Sequence, residues 1–247
     1  MMNPRPGVSG RGFFVKRRTD LDRNTADKNS SQKRFQTVLF DFDGTVYDTV
    51  EGITKSVQFA LSLRGIHAET DDLRCFAGPP LVDKFMEIYY VSVEEAEQMV
   101  IDFRKRYVPI GIYESSPFRG VKELLARLRK ENLQLGIATS KPQSMAEQLL
   151  KESGMREYFD AVAGSDRTIN NEKKWQIIVR TMEMLQADPA TTVLIGDTKY
   201  DAEGAARCGI PCIGVRWGYA APGELEAAGV SAVADDMDDL FRLLTGS

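Results

Sequence analysis

Short apolar runs recur along the chain and are separated by longer stretches in which apolar residues have helical spacing. The runs lie at residues 36–41, 133–139, 161–163, 192–197 and 212–215. The helical stretches between them cover residues 121–130, 143–153 and 172–186. Short buried strands that alternate with helices of this length predict an α/β fold, in which helices cover both faces of a doubly wound parallel sheet.

Residues 50–117 interrupt this alternation. Apolar spacing predicts helices at residues 57–63, 81–90 and 94–107, with no core-type strand between them. We therefore expect a helical cap domain at residues 50–117, inserted into a core domain formed by residues 35–49 and 118–247. Because ligands of open α/β sheets bind beyond the carboxyl ends of the strands, an insert that leaves after the first strand would cover the binding site.

The composition narrows the class of protein. With 43% hydrophobic and 28% charged residues, the 247-residue chain resembles a globular protein and not a disordered or fibrous one. A membrane-spanning helix needs about 18 consecutive apolar residues, and the sequence contains no such run, so we expect no membrane-spanning segment. The single histidine, His67, excludes sites built on several imidazoles. Three cysteines without a CxxC pair predict reduced thiols and a cytoplasmic location.

Charge is unevenly distributed along the chain. Residues 1–34 carry nine Lys or Arg and three Asp, a net charge of +6, which leaves −10 on the remainder of a chain whose total is −4. We expect residues 1–34 to form a disordered basic tail, with a membrane-touching or partner-binding arm or a transit peptide as the alternatives. The acidic remainder argues against nucleic acid as the main ligand. Nothing in the sequence predicts an oligomeric state.

Acidic side chains follow two of the predicted strands at the point where each strand ends. Asp41 and Asp43 end the first run, and Asp197 and Asp201 follow the run at 192–197. Two close carboxylates repel each other unless a hard cation such as Mg²⁺ joins them. A lone Asp-x-Asp is common in strand-end turns, but a second acidic strand end favours a magnesium site at this edge of the sheet.

Two further features suit an anion. Thr139 and Ser140 end a predicted strand, and Ser140 with Gln143 fits a helix capping box whose free backbone N–H groups can bind phosphate. An ordinary helix N-cap explains that segment equally well. In the next helix Lys174 lies on the apolar face and Lys173 on the polar face, so only Lys174 is expected to point inward toward a carboxylate or an anion. A lysine that extends along the surface to water is the alternative.

Taken in order, these motifs resemble those of the haloacid dehalogenase-like (HAD) phosphatase superfamily. The motifs are Asp41-Phe-Asp-Gly-Thr-Val, Thr139, a lysine assigned to Lys174, and Gly196-Asp197 with Asp201. The resemblance begins at about residue 36 and continues to the C-terminus. It implies a Rossmann-like core with an inserted α-helical cap, as in the phosphoglycolate phosphatase-like subgroup.

The resemblance also implies catalytic roles. Asp41 would attack phosphorus and form an aspartyl-phosphate, and Asp43 would protonate the leaving oxygen and then activate water. Thr139 and Lys174 would bind the transferring phosphoryl group.

The same resemblance implies a Mg²⁺ cofactor. The ion would be bound by Asp41, by the backbone carbonyl of Asp43 and by Asp197, and Asp201 would support it without direct contact.

The implied function is Mg²⁺-dependent hydrolysis of small phosphate monoesters of the phosphoglycolate type, with a small phosphorylated metabolite as the partner. A 5′-nucleotidase or pyrophosphatase of the same superfamily and a β-phosphoglucomutase-like phosphotransferase are the alternatives within it. A signalling receiver domain and a non-catalytic binding protein are the alternatives outside it. The candidate contacts of the leaving group are Tyr47, Phe76, Lys84 and Arg119, each of which packing or surface exposure explains equally well.

Overall fold

The computed structural model of the protein describes residues 35–165 and 172–246. The predicted basic tail at residues 1–34 lies outside the described residues. In the described ranges no helix is long and apolar enough to cross a membrane.

Eight strands form two sheets in the described part of the chain. The strands are β1 (Thr37–Phe40), β2 (Tyr47–Asp48), β3 (Ser116–Pro117), β4 (Gln134–Pro142), β5 (Ala161–Ser165), β6 (Thr192–Gly196), β7 (Cys212–Val215) and β8 (Ala232–Ala234). Six of them form one sheet in the order β5-β4-β1-β6-β7-β8, and every neighbouring pair in it is parallel. The sequence did not predict β2, β3 or β8, each of which has only two or three residues.

Helices cover both faces of this sheet. They are α1 (Val50–Ser62), α2 (Leu81–Tyr89), α3 (Val93–Tyr107), α4 (Val121–Lys130), α5 (Gln143–Glu152), α6 (Lys174–Leu185), α7 (Lys199–Arg207), α8 (Glu224–Ala227) and α9 (Met237–Thr245). Because successive strand residues point to opposite faces, Leu39 of β1 packs in the cluster formed with α6 and α7, whereas Val38 and Phe40 pack in the cluster formed with α4, α5 and α9. The prediction of a doubly wound parallel sheet is therefore confirmed.

The chain changes direction across the sheet at β1. It passes from β1 to β4 and β5 on one side, and it later continues with β6, β7 and β8 on the other. Phe40 pairs in register with Ile137 of β4 and with Ile195 of β6. The carboxyl ends of β1, β4 and β6 therefore meet at the topological switch point, where open α/β sheets bind their ligands.

A helical insert lies between β2 and β3. It contains α1, α2, α3 and two 3₁₀ helices, Thr70–Phe76 and Gly111–Tyr113. Tyr47 of β2 pairs with Pro117 of β3 in antiparallel register, so the chain enters and leaves the insert through two adjacent strands. An insert of helices at this point confirms the predicted architecture, and we propose that it forms a separate cap domain.

Truncation of a buried leucine should cost far more stability than truncation of an exposed one. Leu125 in α4 has 0% exposure, whereas Leu63 after α1 is 53% exposed. We expect Leu125→Ala to lower the free energy of unfolding by about 2–5 kcal/mol, and Leu63→Ala to lower it by less than about 1 kcal/mol. Urea denaturation followed by circular dichroism measures both. Equal losses would contradict the buried position of α4.

Candidate active site

Asp41 directly follows β1 and is the first site residue along the chain. Its backbone N–H donates a hydrogen bond to the carbonyl of Ile195 at 2.8 Å, which extends the pairing with β6 by one residue. Its carboxylate is 14% exposed, and Oδ1 lies 2.6 Å from Nζ of Lys174. Burial raises the pKa of Asp41 from 3.8 to about 6, although the charge of Lys174 opposes this shift.

Asp197 and Asp201 complete an acidic cluster with Asp41. Each of the three contributes one carboxylate oxygen, and these oxygens lie within 4.8 Å of one another. Asp197 follows β6, and burial together with the charges of Asp201 and Asp41 raises its pKa well above the ordinary value. The sequence analysis expected four acids to meet at the ends of two strands, and the structure places the carboxylates of three of them together, without that of Asp43.

Two glycines let the chain approach Asp197 closely. A Cβ atom on Gly44 would lie 2.1 Å from Oδ2 of Asp197, and a Cβ atom on Gly218 would lie 2.1 Å from its Cβ. Gly44 also has a backbone φ of +82°, which residues other than glycine rarely adopt. The resulting space lets Thr45 Oγ1 and the backbone N–H of Tyr219 donate hydrogen bonds to the Asp197 carboxylate, at 3.1 and 2.9 Å.

Lys174 lies between two of the acids. Its Nζ is 2.6 Å from Oδ1 of Asp41 and 2.7 Å from Oδ1 of Asp201, and its side chain is 9% exposed. Burial alone would lower the pKa of Lys174, but the two carboxylates, Asp201 first, outweigh burial and raise it. Lys173, the N-terminal flanking residue of α6, is exposed. Of the two lysines considered from the sequence, Lys174 is the one in the site.

Asp201 is bound by donors on both of its oxygens. Oδ1 contacts Lys174, while Oδ2 accepts hydrogen bonds from the N–H and Oγ1 of Thr198, at 3.1 and 3.0 Å. Asp201 is the third residue of α7, and with Thr198 it forms a capping box that gives backbone N–H groups at the start of that helix hydrogen-bond partners. This arrangement suits a residue that positions Lys174 more than one that contacts a metal ion.

Asp43 has a different partner from Asp41. Its Oδ1 accepts a hydrogen bond from Nζ of Lys141 at 2.9 Å, and its carboxylate is not part of the three-acid cluster. The same Nζ donates to the hydroxyl of Tyr107 at 2.6 Å. Among the described residues, a lysine therefore supplies the positive charge beside the Asp43 carboxylate.

The segment after β4 differs from the sequence prediction. β4 continues to Pro142, and α5 begins at Gln143 without a side-chain cap, so Ser140 does not form the predicted capping box. The extended backbone explains this, because alternate residues of a strand share a face: Thr139 and Lys141 are buried, whereas Ser140 between them is exposed. Thr139 Oγ1 accepts a hydrogen bond from the N–H of Lys141 at 3.1 Å.

Sequence reasoning missed Lys141. The sequence analysis interpreted residues 139–142 as the start of a helix and gave that lysine no role. Had these residues been interpreted as a continuing strand, the side chains of Thr139 and Lys141, two residues apart, would have been placed on the same face.

The proposed leaving-group contacts are mostly engaged elsewhere. Tyr47 is buried and donates a hydrogen bond to the carbonyl of Leu149 at 2.7 Å. Phe76 is buried, and Lys84 pairs with Glu87. Arg119 is exposed. The structure gives none of these side chains a contact with the acidic cluster.

The residues present fit a hard divalent cation. The carboxylates of Asp41 and Asp197 offer oxygen ligands, which Mg²⁺ prefers, and Asp201 adds a third negative charge to the same cluster. Oδ1 of Asp41 is buried, and among the described residues it has no hydrogen-bond donor besides its charged partner Lys174. A cation would also offset the burial and repulsion that raise the pKa values of Asp41 and Asp197.

The raised pKa of Asp41 predicts how stability depends on pH without metal. The folded protein binds this proton more tightly than the unfolded chain, so the contribution of Asp41 is fully present below pH 3.8 and is lost as the pH rises through about 6. In EDTA at pH 7 we expect Asp41→Asn to raise the free energy of unfolding, on the order of 1–3 kcal/mol, with little effect near pH 4. Urea denaturation at both pH values measures this.

The exposed Asp235 offers a matched control. Asp235→Asn should change stability little at either pH. The same pH dependence in wild type and Asp41→Asn would contradict the raised pKa.

Comparisons with known proteins identify a family for this chain. A family model described as haloacid dehalogenase-like hydrolase matches residues 38–215. A 5′-nucleotidase of Pseudomonas aeruginosa is 35% identical over 85% of this chain and 96% of its own length. The tyrosine-protein kinase PtkA of Mycobacterium tuberculosis is 31% identical over 85% of this chain and 72% of its own length. Other relatives are named phosphoglycolate phosphatase and pyrophosphatase.

A solved structure gives the same result for the fold. A predicted phosphatase from Clostridium acetobutylicum superposes with a TM-score of 0.81 at 35% identity, covering 85% of this chain and 97% of that one. The fold of this chain is therefore shared with that solved structure. The chain belongs to the haloacid dehalogenase-like hydrolases.

Proposed function

We propose that the protein is a Mg²⁺-dependent phosphatase that hydrolyses small phosphate monoesters through an aspartyl-phosphate on Asp41. The observation that carries this proposal is the position of Asp41: it lies at the switch point of the sheet, in contact with buried Lys174 and beside Asp197 and Asp201. A carboxylate nucleophile, a fixed positive charge and a metal-binding acid cluster are the groups that phosphoryl transfer needs.

Two steps follow from the two acids of the first motif. An oxygen of Asp41 forms a bond to phosphorus while the bond from phosphorus to the ester oxygen breaks, and Asp43 gives that oxygen a proton. Water then attacks phosphorus, the bond to Asp41 breaks, and Asp43 takes the proton from the water. Inorganic phosphate leaves, and both acids return to their starting states.

Other side chains stabilise the transferring group. Lys174 is a buried charge next to the nucleophile and is the proposed partner of the non-bridging phosphoryl oxygens. Thr139 and Ser140 lie at the end of β4, beside β1, and are proposed to bind phosphate through the Thr139 hydroxyl and the backbone N–H of Ser140. Bound Mg²⁺ would neutralise charge that develops on the phosphoryl oxygens, with Asp41, Asp197 and the carbonyl of Asp43 as its ligands.

The substrate is proposed as a small phosphorylated metabolite. The names of the relatives differ in the leaving group, from a 5′-nucleotide to phosphoglycolate and pyrophosphate. We retain a phosphoglycolate-type phosphatase as the primary proposal and a 5′-nucleotidase, a pyrophosphatase or a phosphoglucomutase-like phosphotransferase as its alternatives. Three free cysteines, of which Cys212 is buried, suit a reducing cytoplasm.

Phosphatase activity should depend on Asp41. With Mg²⁺, we expect the full chain to release phosphate from p-nitrophenyl phosphate and from at least one of 2-phosphoglycolate, a 5′-mononucleotide or pyrophosphate. Asp41→Asn removes the nucleophile and should lower kcat by more than about 10³-fold. The control Asp235→Asn should retain activity, because Asp235 is exposed and lies outside the site.

The panel also separates the alternatives. Equal rates in wild type and Asp41→Asn would refute a covalent step on Asp41. When a sugar phosphate is added to the panel, its loss without matching phosphate release would favour the phosphotransferase.

Mg²⁺ should stabilise the protein through the acidic cluster. After EDTA treatment, we expect added Mg²⁺ to raise the melting temperature by several degrees at saturation, because a ligand that binds only the folded state shifts unfolding. Asp197→Asn should abolish most of this shift, since it removes a carboxylate from the cluster. Differential scanning calorimetry measures both. The same Mg²⁺ shift in the variant would place the ion elsewhere.

A further inference from the structure

Lys141 is a buried lysine that joins the helical insert to the sheet. Its side chain is 3% exposed. Its Nζ lies 2.9 Å from Oδ1 of Asp43, next to the end of β1, and 2.6 Å from the hydroxyl of Tyr107, in the last turn of α3. A flexible lysine loses several rotatable bonds when it is fixed in this way, so both partners are needed to define its position.

The surroundings of Lys141 are apolar. Its ammonium lies 5.6 Å from the ring centre of Phe42 and 5.1 Å from that of Tyr107, and the Tyr107 ring stacks on Phe103 at 4.9 Å. An ammonium group in such a place is unfavourable without a carboxylate. Asp43 supplies this carboxylate. The ion pair stabilises the buried ammonium of Lys141 and fixes the direction of the lysine side chain.

This pair constrains the Asp43 carboxylate as well. Oδ1 is occupied by Lys141, which leaves Oδ2 for proton exchange with a leaving group or water. Because the hydroxyl of Tyr107 fixes the lysine, the insert contacts the proton-transfer group through one intermediate side chain. The nucleophile Asp41 has no such connection, since its charged partner Lys174 lies on α6 of the core.

We propose that Lys141 is a positioning residue that directs the Asp43 carboxylate toward the leaving-group oxygen, and that Tyr107 fixes Lys141 from the insert. This rests on the proposed role of Asp43 as proton donor. A poorly aligned donor slows reactions in which the leaving oxygen needs a proton and hardly affects those in which it does not. A lysine that only stabilises the fold would affect both kinds of reaction alike.

Two aryl phosphates of similar shape test the proposal. p-Nitrophenyl phosphate has a good leaving group that departs without a proton, whereas phenyl phosphate has a poorer one. We expect Lys141→Met to lower kcat/KM for phenyl phosphate at least about tenfold more than for p-nitrophenyl phosphate. Tyr107→Phe removes one oxygen atom and keeps the stacked ring, and it should produce the same selective loss at about threefold.

A double variant tests whether Tyr107 acts through Lys141. If it does, the double variant should have the same ratio of kcat/KM values for the two esters as Lys141→Met alone. Lys151→Met and Tyr90→Phe are matched controls, because the Lys151 side chain is 70% exposed and Tyr90 is 92% exposed. Both should leave the ratio unchanged.

The outcomes separate this proposal from the proposed function. Equal losses for the two substrates, or additive effects of the two substitutions, would overturn the positioning role while leaving the phosphatase intact. Failure of the wild type to hydrolyse either ester would overturn the proposed function and the positioning role together. If Lys141→Met does not fold, Tyr107→Phe alone tests the proposal, because it is a small change. A loss in Tyr107→Phe that is equal for the two esters, or no loss, would then overturn the positioning role.

Discussion

Burial of like charges is the constraint on which the site depends. Three carboxylates place oxygens within 4.8 Å of one another, and one ammonium, that of Lys174, contacts two of them. The surrounding elements are arranged for this contact. A Cβ on Gly204 of α7 would lie 2.8 Å from Cγ of Lys174, so a glycine there lets α7 pack against the start of α6. One positive charge for three acids leaves a negative site, which explains why a divalent cation is the expected cofactor.

The two aspartates of the first motif are close in sequence but have different electrostatic environments. Asp41 pairs with Lys174 from the core, whereas Asp43 pairs with Lys141, which also contacts the insert through Tyr107. Separate partners let each carboxylate be positioned without the other. This division supports the roles proposed above, with Asp41 as the nucleophile and Asp43 as the proton carrier.

The insert therefore contacts the Asp43 carboxylate through Tyr107 and Lys141. It enters and leaves through β2 and β3, and the hydroxyl of Tyr219 donates to Oδ1 of Asp48 in β2 at 3.0 Å. The backbone N–H of the same tyrosine donates to Asp197. The polypeptide around the acidic cluster thus also fixes the point at which the insert begins.

The sequence alone determined the sheet, the helical insert and the strand-end acids, because these depend on local periodicity and on the rule that parallel strands end at one edge. It also distinguished Lys174 from Lys173 by helical spacing. Only the tertiary structure decided the partner of Asp43, because Lys141 is 98 residues away in the chain and reaches it through a strand that continues past Thr139. Ser140 was misread as a helix cap for the same reason. Contacts across strands depend on where each strand stops, and short-range patterns do not fix that point.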